Sequence, residues 1–183
     1  MSGSSSSLVY WDTGIFIAML MREEREDPAD LDGIREQVAQ FDKRKLQIAT
    51  SVITLTEILR GYLPAVARDT LDAFFKREDC HLVDVDRHIA YIAQEIRDYY
   101  AGRNDGLPTL TTPDALHVAT AIASDCDKLY TFDGDAHRRP DKPKEGRPLL
   151  SLTSPIAGRY PLIIKKPRPA HMDMEMFKMG DKA

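Results

Sequence analysis

Apolar residues fall along the chain in short uncharged runs separated by longer stretches at helical spacing. Leu8-Val9-Tyr10-Trp11 is the first run, the pattern of a strand buried on both faces. It stops at Asp12-Thr13-Gly14, and Ile15 to Met21 reads as a buried helix capped by Asp12 or Thr13. Residues 22–32 are highly charged and include Pro28, which predicts an exposed turn. Leu31, Ile34, Val38 and Phe41 then recur at helical spacing. Gln47 to Ser51 is a second strand. Val52 to Gly61 is rich in β-branched residues, yet its Ser51 cap, its Gly61 stop and the position of Glu57 predict a helix. Pro64 opens another helix, to about Arg77, with Val66, Leu71, Phe74 and Phe75 on its buried side.

His81 to Val85 is a third strand, and Asp86 caps a long helix through Tyr100 with Ile89, Ile92, Ala93 and Ile96 on one face. After a loop from Gly102 to Thr112, Pro113 marks a helix start, because its missing N–H costs nothing in a first turn. Ala115, Leu116, Val118, Ala119, Ala121, Ile122 and Ala123 make that helix small and apolar, suited to close packing on a sheet. Lys128–Thr131 is the next strand and Leu149–Leu152 a further one; Tyr160–Ile164 is another apolar run. Lys165–Ala183 reads as disordered, or ordered only by a partner.

Strands and helices alternating at this length predict an α/β fold, a parallel sheet covered on both faces. The 183 residues suffice for one domain with a full core. The expected division is a flexible serine-rich leader at 1–7, a body at 8–152 and a C-terminal extension at 153–183 that is partly disordered or partner-binding. No apolar run reaches 18 residues and the N-terminus lacks the features of a signal peptide, so a cytoplasmic protein away from membranes is expected. Two cysteines, Cys80 and Cys126, lie in different elements; reduced thiols fit better than a disulfide, and a cysteine-based zinc site lacks ligands. The net charge of −4 is uneven: Arg138 to Arg168 holds nine basic residues and two acids, +7, which leaves −11 on the rest. Such a segment can meet a phosphate backbone, although on charge alone a solvated tail is the simpler reading.

Four carboxylates stand at special places. Asp12 ends the first strand, Glu57 interrupts an apolar helix after the second, Asp114 lies in the first turn of the small-residue helix, and Asp133 follows the last core strand. Each also has a structural reading: Asp12 as an N-cap, Glu57 as a partner for Arg60, Asp114 as a first-turn acid favoured by the helix dipole, Asp133 as a turn residue before Gly134. One at a time these readings stand level with a functional one. Together they do not, because all four acids fall at strand ends or adjoining helix starts, where an open α/β sheet forms its ligand crevice. Converging carboxylates repel one another, and a hard divalent cation such as Mg²⁺ or Mn²⁺ resolves the repulsion.

Tyr10-Trp11-Asp12-Thr13, Ser51 to Ile58, Thr112 to Ala121 and Leu129 to Asp135 resemble the four acidic motifs of the PIN-domain family, with the nearest likeness to the VapC-type toxins of type II toxin–antitoxin pairs. The resemblance spans roughly residues 8–152 in order and spacing. It implies a three-layer α/β/α fold on a central, mainly parallel, roughly five-stranded sheet. It implies a Mg²⁺- or Mn²⁺-dependent endoribonuclease that hydrolyses RNA (tRNA, rRNA or mRNA) by metal-activated water. It also implies a homodimer neutralised by a small antitoxin protein. Carried over, Asp12, Glu57, Asp114 and Asp133 are the catalytic, metal-binding acids; Thr13 and Thr131 support them through their hydroxyls, and Asp135 is an accessory acid acting through water. The chain departs from the short toxin pattern in running about 30 residues past the last expected strand, Leu149–Leu152.

Arg60, His137 and Arg138 are candidates to meet RNA phosphate, with a plain loop residue the simpler reading of His137 and a counter-charge to Glu57 the other reading of Arg60. His117 stands one helical turn beyond Asp114 and could touch the site, although a packed or solvent-facing helix histidine is the simpler reading. The competing reading of the whole is a PIN-like metal- or RNA-binding module without useful turnover. A phosphatase using an aspartyl nucleophile is disfavoured, because its usual motif needs a second Asp where Gly14 stands.

Overall fold

The computed structural model describes residues 6–21, 27–135 and 146–172. Among the described residues five strands are present: β1 (Ser7–Trp11), β2 (Leu46–Ser51), β3 (Cys80–Val83), β4 (Lys128–Tyr130) and β5 (Ile163–Lys165). They form one sheet in the order β3-β2-β1-β4-β5, every pairing parallel. Six α-helices connect and cover them: α1 (Thr13–Met21), α2 (Pro28–Asp42), α3 (Ile53–Glu57), α4 (Ala65–Phe75), α5 (Arg87–Ala101) and α6 (Thr112–Ala123). The chain runs outward from β1 through β2 to β3, then crosses back to place β4 on the other side of β1. The direction of winding therefore changes between β1 and β4, and the crevice at their carboxyl ends is where such sheets bind ligands.

The central strand explains the two cores. Val9 and Trp11 point to one face of β1, among Ile15, Phe16, Ile34, Phe41, Ile48, Leu71 and Phe74. Tyr10 points to the other, among Ile92, Ile96, Leu110, Ala115, Val118, Ala119 and Leu129. A strand buried on both sides has no polar face to keep, so its sequence is an uninterrupted apolar run. Trp11, Phe16, Phe41 and Phe74 interlock on the first face, with ring centroids 4.6–5.7 Å apart. On the second, small residues on α6 let it approach both the sheet and α5.

Three local expectations change. Helix α3 ends at Glu57, short of Gly61, because the backbone of Ile58 turns extended and a 3₁₀ turn, Arg60–Tyr62, follows. Leu149–Ser151 is a 3₁₀ turn rather than a strand. The fifth strand instead comes from the run at 160–164, so the sheet takes its edge from the stretch 153–183 set apart above as an extension. Lys165 to Met172 are not left free: Lys166 pairs with Asp30 at 2.8 Å and Asp135 at 2.7 Å, and Arg168 with Asp27 at 2.6 Å. This strap crosses α2 at Gly33. Among the described residues, no helix is long and apolar enough to cross a membrane.

Candidate active site

Asp12 leaves β1 at the crevice, its N–H still donating to the Tyr130 carbonyl of β4 at 3.1 Å. Its carboxylate is mostly buried, and Oδ2 accepts a 2.5 Å hydrogen bond from the Thr131 hydroxyl. Thr131 follows β4 and also accepts from the Asp133 N–H at 2.9 Å, so one side chain ties both strand ends together. Glu57 arrives from the last residue of α3, with its side chain 31 % exposed. It accepts hydrogen bonds from the hydroxyl of Thr13, at the start of α1, and from His117 Nε2 at 2.9 Å. Thr13 lies 3.2 Å from Thr54, which continues to Thr50 at 2.8 Å, and Thr50 donates to the Trp11 carbonyl. The two supporting hydroxyls predicted from sequence are both in contact with an acid of the site.

The structure adds His117. Its ring projects from α6 into the centre of the cluster and is 1 % exposed. Nε2 is 2.9 Å from Glu57 Oε2 and 4.0 Å from Asp12 Oδ1. Nδ1 is 2.7 Å from the Tyr10 hydroxyl, which also accepts from the Ser51 N–H at 2.9 Å. The histidine is packed, as its spacing implies, but at the site itself. The only sequence signal for it is its position one turn after Asp114, on the sheet-facing side of a small-residue helix.

Burial opposes charge on both partners, and the pairing outweighs it. Desolvation of the His117 ring is overcome by its hydrogen bond to Glu57 and by the charges of Asp12, Glu57 and Asp114, so its pKa stands above the usual histidine value. Desolvation of Glu57 is likewise overcome by the hydrogen bond and charge of His117 and by Thr13, which hold the carboxyl below its usual range.

Asp12, Glu57 and His117 each offer one ligand atom, and these lie within 4.8 Å of one another. Two hard oxygen donors and one imidazole nitrogen suit a divalent cation. Among the described residues, Asp114 and Asp133 are not in that group. Asp114 Oδ2 accepts from the Thr111 hydroxyl at 2.6 Å while Thr111 caps α6. Asp133 Oδ2 accepts from the Leu149 N–H at 2.7 Å. Asp135 is paired with Lys166 at 2.7 Å. His137 and Arg138 lie outside the described residues, as does the side chain of Arg60.

A parallel sheet with an acid–imidazole cluster at its switch point defines an α/β protein with a candidate divalent-cation site. The chain belongs to the PIN domain family, whose match covers residues 9–142. No curated protein matches it in sequence. Among solved structures it is similar to a chain of VapBC2 from Rickettsia felis, a complex bound to a DNA fragment from their promoter, with 19 % identity, 86 % of this chain and 97 % of that chain covered, and a TM-score of 0.55. It is also similar to VapC20 from Mycobacterium tuberculosis, a sarcin–ricin loop cleaving toxin (18 % identity, 69 % of this chain and 91 % of that chain, TM-score 0.48). FitAcB from Neisseria gonorrhoeae is a further neighbour (20 %, 68 % and 87 %, TM-score 0.46). At these identities the likeness is one of fold.

Proposed function

We propose that this protein is a divalent-metal-dependent endoribonuclease and the toxin of a toxin–antitoxin pair, acting in the cytoplasm as a homodimer. The observation that carries the nuclease reading is the convergence of Asp12, Glu57 and His117 at the β1/β4 crevice of a PIN domain. Asp12 and Glu57 would hold the cation, Mg²⁺ or Mn²⁺. When bound, it supplies the positive charge that acidifies a water and offsets charge gathering on the scissile phosphate.

The chain's own groups do the rest. Thr131 and Thr13 donate to the two carboxylates and so hold each in its orientation at the crevice. Asp114 and Asp133 complete the acidic set from the α6 start and the β4 exit. Arg60, His137 and Arg138 supply phosphate contacts along the RNA, which orient the strand without reading its sequence. The VapBC2 neighbour, solved as a complex with its partner on promoter DNA, supports an antitoxin as the regulatory partner.

The test is cleavage of total RNA and purified tRNA by the wild-type chain and Asp12→Asn, with Mg²⁺, Mn²⁺ or EDTA. Discrete products from the wild type alone, lost with EDTA, are expected. A folded, partner-free, metal-loaded protein that cleaves nothing would overturn the nuclease and leave a binding module.

A further inference from the structure

We propose that His117 is a direct nitrogen ligand of the divalent cation, so that the centre is built from Asp12, Glu57 and His117 and prefers Mn²⁺ to Mg²⁺. This rests on the metal-site reading above and goes beyond an all-carboxylate centre.

Geometry carries the assignment. Cis donors around an octahedral ion with bonds of about 2.1 Å lie about 3 Å apart. His117 Nε2 already stands 2.9 Å from Glu57 Oε2. It is 4.0 Å from Asp12 Oδ1, about 1 Å beyond the cis spacing, and the three donor atoms all lie within 4.8 Å of one another. No other described His, Cys, Asp or Glu completes such a group. Asp114 and Asp133, the other two acids of the motif set, have carboxylate oxygens engaged by Thr111 and by the Leu149 N–H.

The ring is also held as a ligand should be. Metal-bound histidines use one nitrogen for the ion and give the other N–H to a fixed acceptor. Here Nδ1 faces the Tyr10 hydroxyl at 2.7 Å, and the Ser51 N–H fixes that hydroxyl in turn. With Nδ1–H donated to Tyr10, Nε2 is the nitrogen that faces the two carboxylates, and a cation bound there would take the place of its proton. Tyr10 and His117 are both almost fully buried, so the ring cannot swing out to solvent. An imidazole in the donor set favours a transition-metal ion over Mg²⁺, which prefers oxygen and gives up its waters reluctantly.

The experiment measures Mn²⁺ and Mg²⁺ binding by calorimetry for the wild type, His117→Gln and Asp12→Asn, with electron spin-echo spectroscopy of the Mn²⁺ form. The wild type is expected to bind Mn²⁺ at least about tenfold more tightly than Mg²⁺, and His117→Gln to lose most of that margin. The Mn²⁺ spectrum is expected to show nitrogen coupling that changes with nitrogen-15 histidine. If His117→Gln does not fold, the wild-type nitrogen coupling decides alone. Mn²⁺ binding that needs Asp12 but shows no nitrogen coupling would overturn the ligand assignment and leave the nuclease reading intact. A folded wild type that binds neither ion would overturn both.

Discussion

Replacing Gly33 by Ala sets helix propensity against tertiary packing, and packing is expected to win. In an isolated helix the change is favourable by about 1 kcal/mol. In this protein a Cβ on Gly33 would lie 2.2 Å from the Pro167 carbonyl oxygen, 2.3 Å from its carbon and 2.6 Å from the Arg168 nitrogen. An ordinary close C···O approach is about 3.3 Å, so the strap must lift by about 1 Å. These are backbone atoms and cannot rotate away. The movement loads the contacts that flank it: Lys166 to Asp30 at 2.8 Å, Arg168 to Asp27 at 2.6 Å, and the Ala170 N–H to Glu36 at 3.0 Å. Asp30 is the sensitive member, because its carboxylate is 2 % exposed and a buried charge that loses its partner is costly. Overpacking costs about 1–3 kcal/mol and the strained ion pairs add about 1, against about 1 gained in propensity. The net expectation is a loss of about 2 kcal/mol, or about 4–8 °C in Tm for a chain of this size. Urea denaturation of Gly33→Ala beside Ala39→Gly, an exposed position on the same helix, provides the assay. Ala39→Gly should lose about 1 kcal/mol through propensity alone. If Gly33→Ala is as stable as wild type or more so, while Ala39→Gly behaves as stated, the strap does not bear on α2 as described.

Three further outcomes are expected. Tyr10→Phe removes the shared partner of His117 Nδ1 and the Ser51 N–H, both buried, and should cost about 1–3 kcal/mol in urea denaturation; a loss under 0.5 would show that the hydroxyl does not hold the ring. In EDTA, stability should fall as pH rises from 6 through the raised pKa of His117: the charged ring is favoured in the folded chain, so its contribution is complete below the usual histidine pKa and is lost above the folded one. His117→Gln should flatten that slope, and an unchanged slope would place the proton elsewhere. Glu57 acts with the opposite sign, its contribution being lost in acid as pH drops through its lowered pKa. Burial first, then the charges of Asp79 for Cys80 and of Asp127 and Asp125 for Cys126, pushes both thiols up to about 12, so neither should react with a disulfide reagent at pH 8 until the chain is unfolded; fast reaction of the folded chain would contradict their burial.

Much of the fold was legible because each element carries its own local signature. Leu8 to Trp11 has no polar position, and a strand without one must be covered on both faces. Thr111-Thr112-Pro113-Asp114 contains a cap, a proline and a first-turn acid, and α6 begins there. The acids were legible as a set because they follow strands or open helices, and a parallel sheet brings those ends to one edge. Asp12 and Glu57 could therefore be placed together without knowing the loops.

What remained hidden depends on contacts between distant residues. His117 looks like a core histidine in sequence, and it is one; only the approach of α3 and β1 puts Glu57 at 2.9 Å and Asp12 at 4.0 Å from its ring. The fifth strand showed in the sequence only as the apolar run 160–164, because Ile163–Lys165 lies at the sheet edge and its pairing with β4 depends on a distant contact. Nothing in the sequence pairs Asp30 with Asp135, the latter expected as an accessory acid; Lys166, more than a hundred residues from Asp30, arrives between them. By itself the sequence determined the first four strands, the main helices and which acids follow strands or open helices, since periodicity and capping act within a few residues. The tertiary structure alone decided which donors meet and which are taken up by a cap, a loop N–H or a lysine, since that depends on distances of 2–4 Å set by packing across the whole domain.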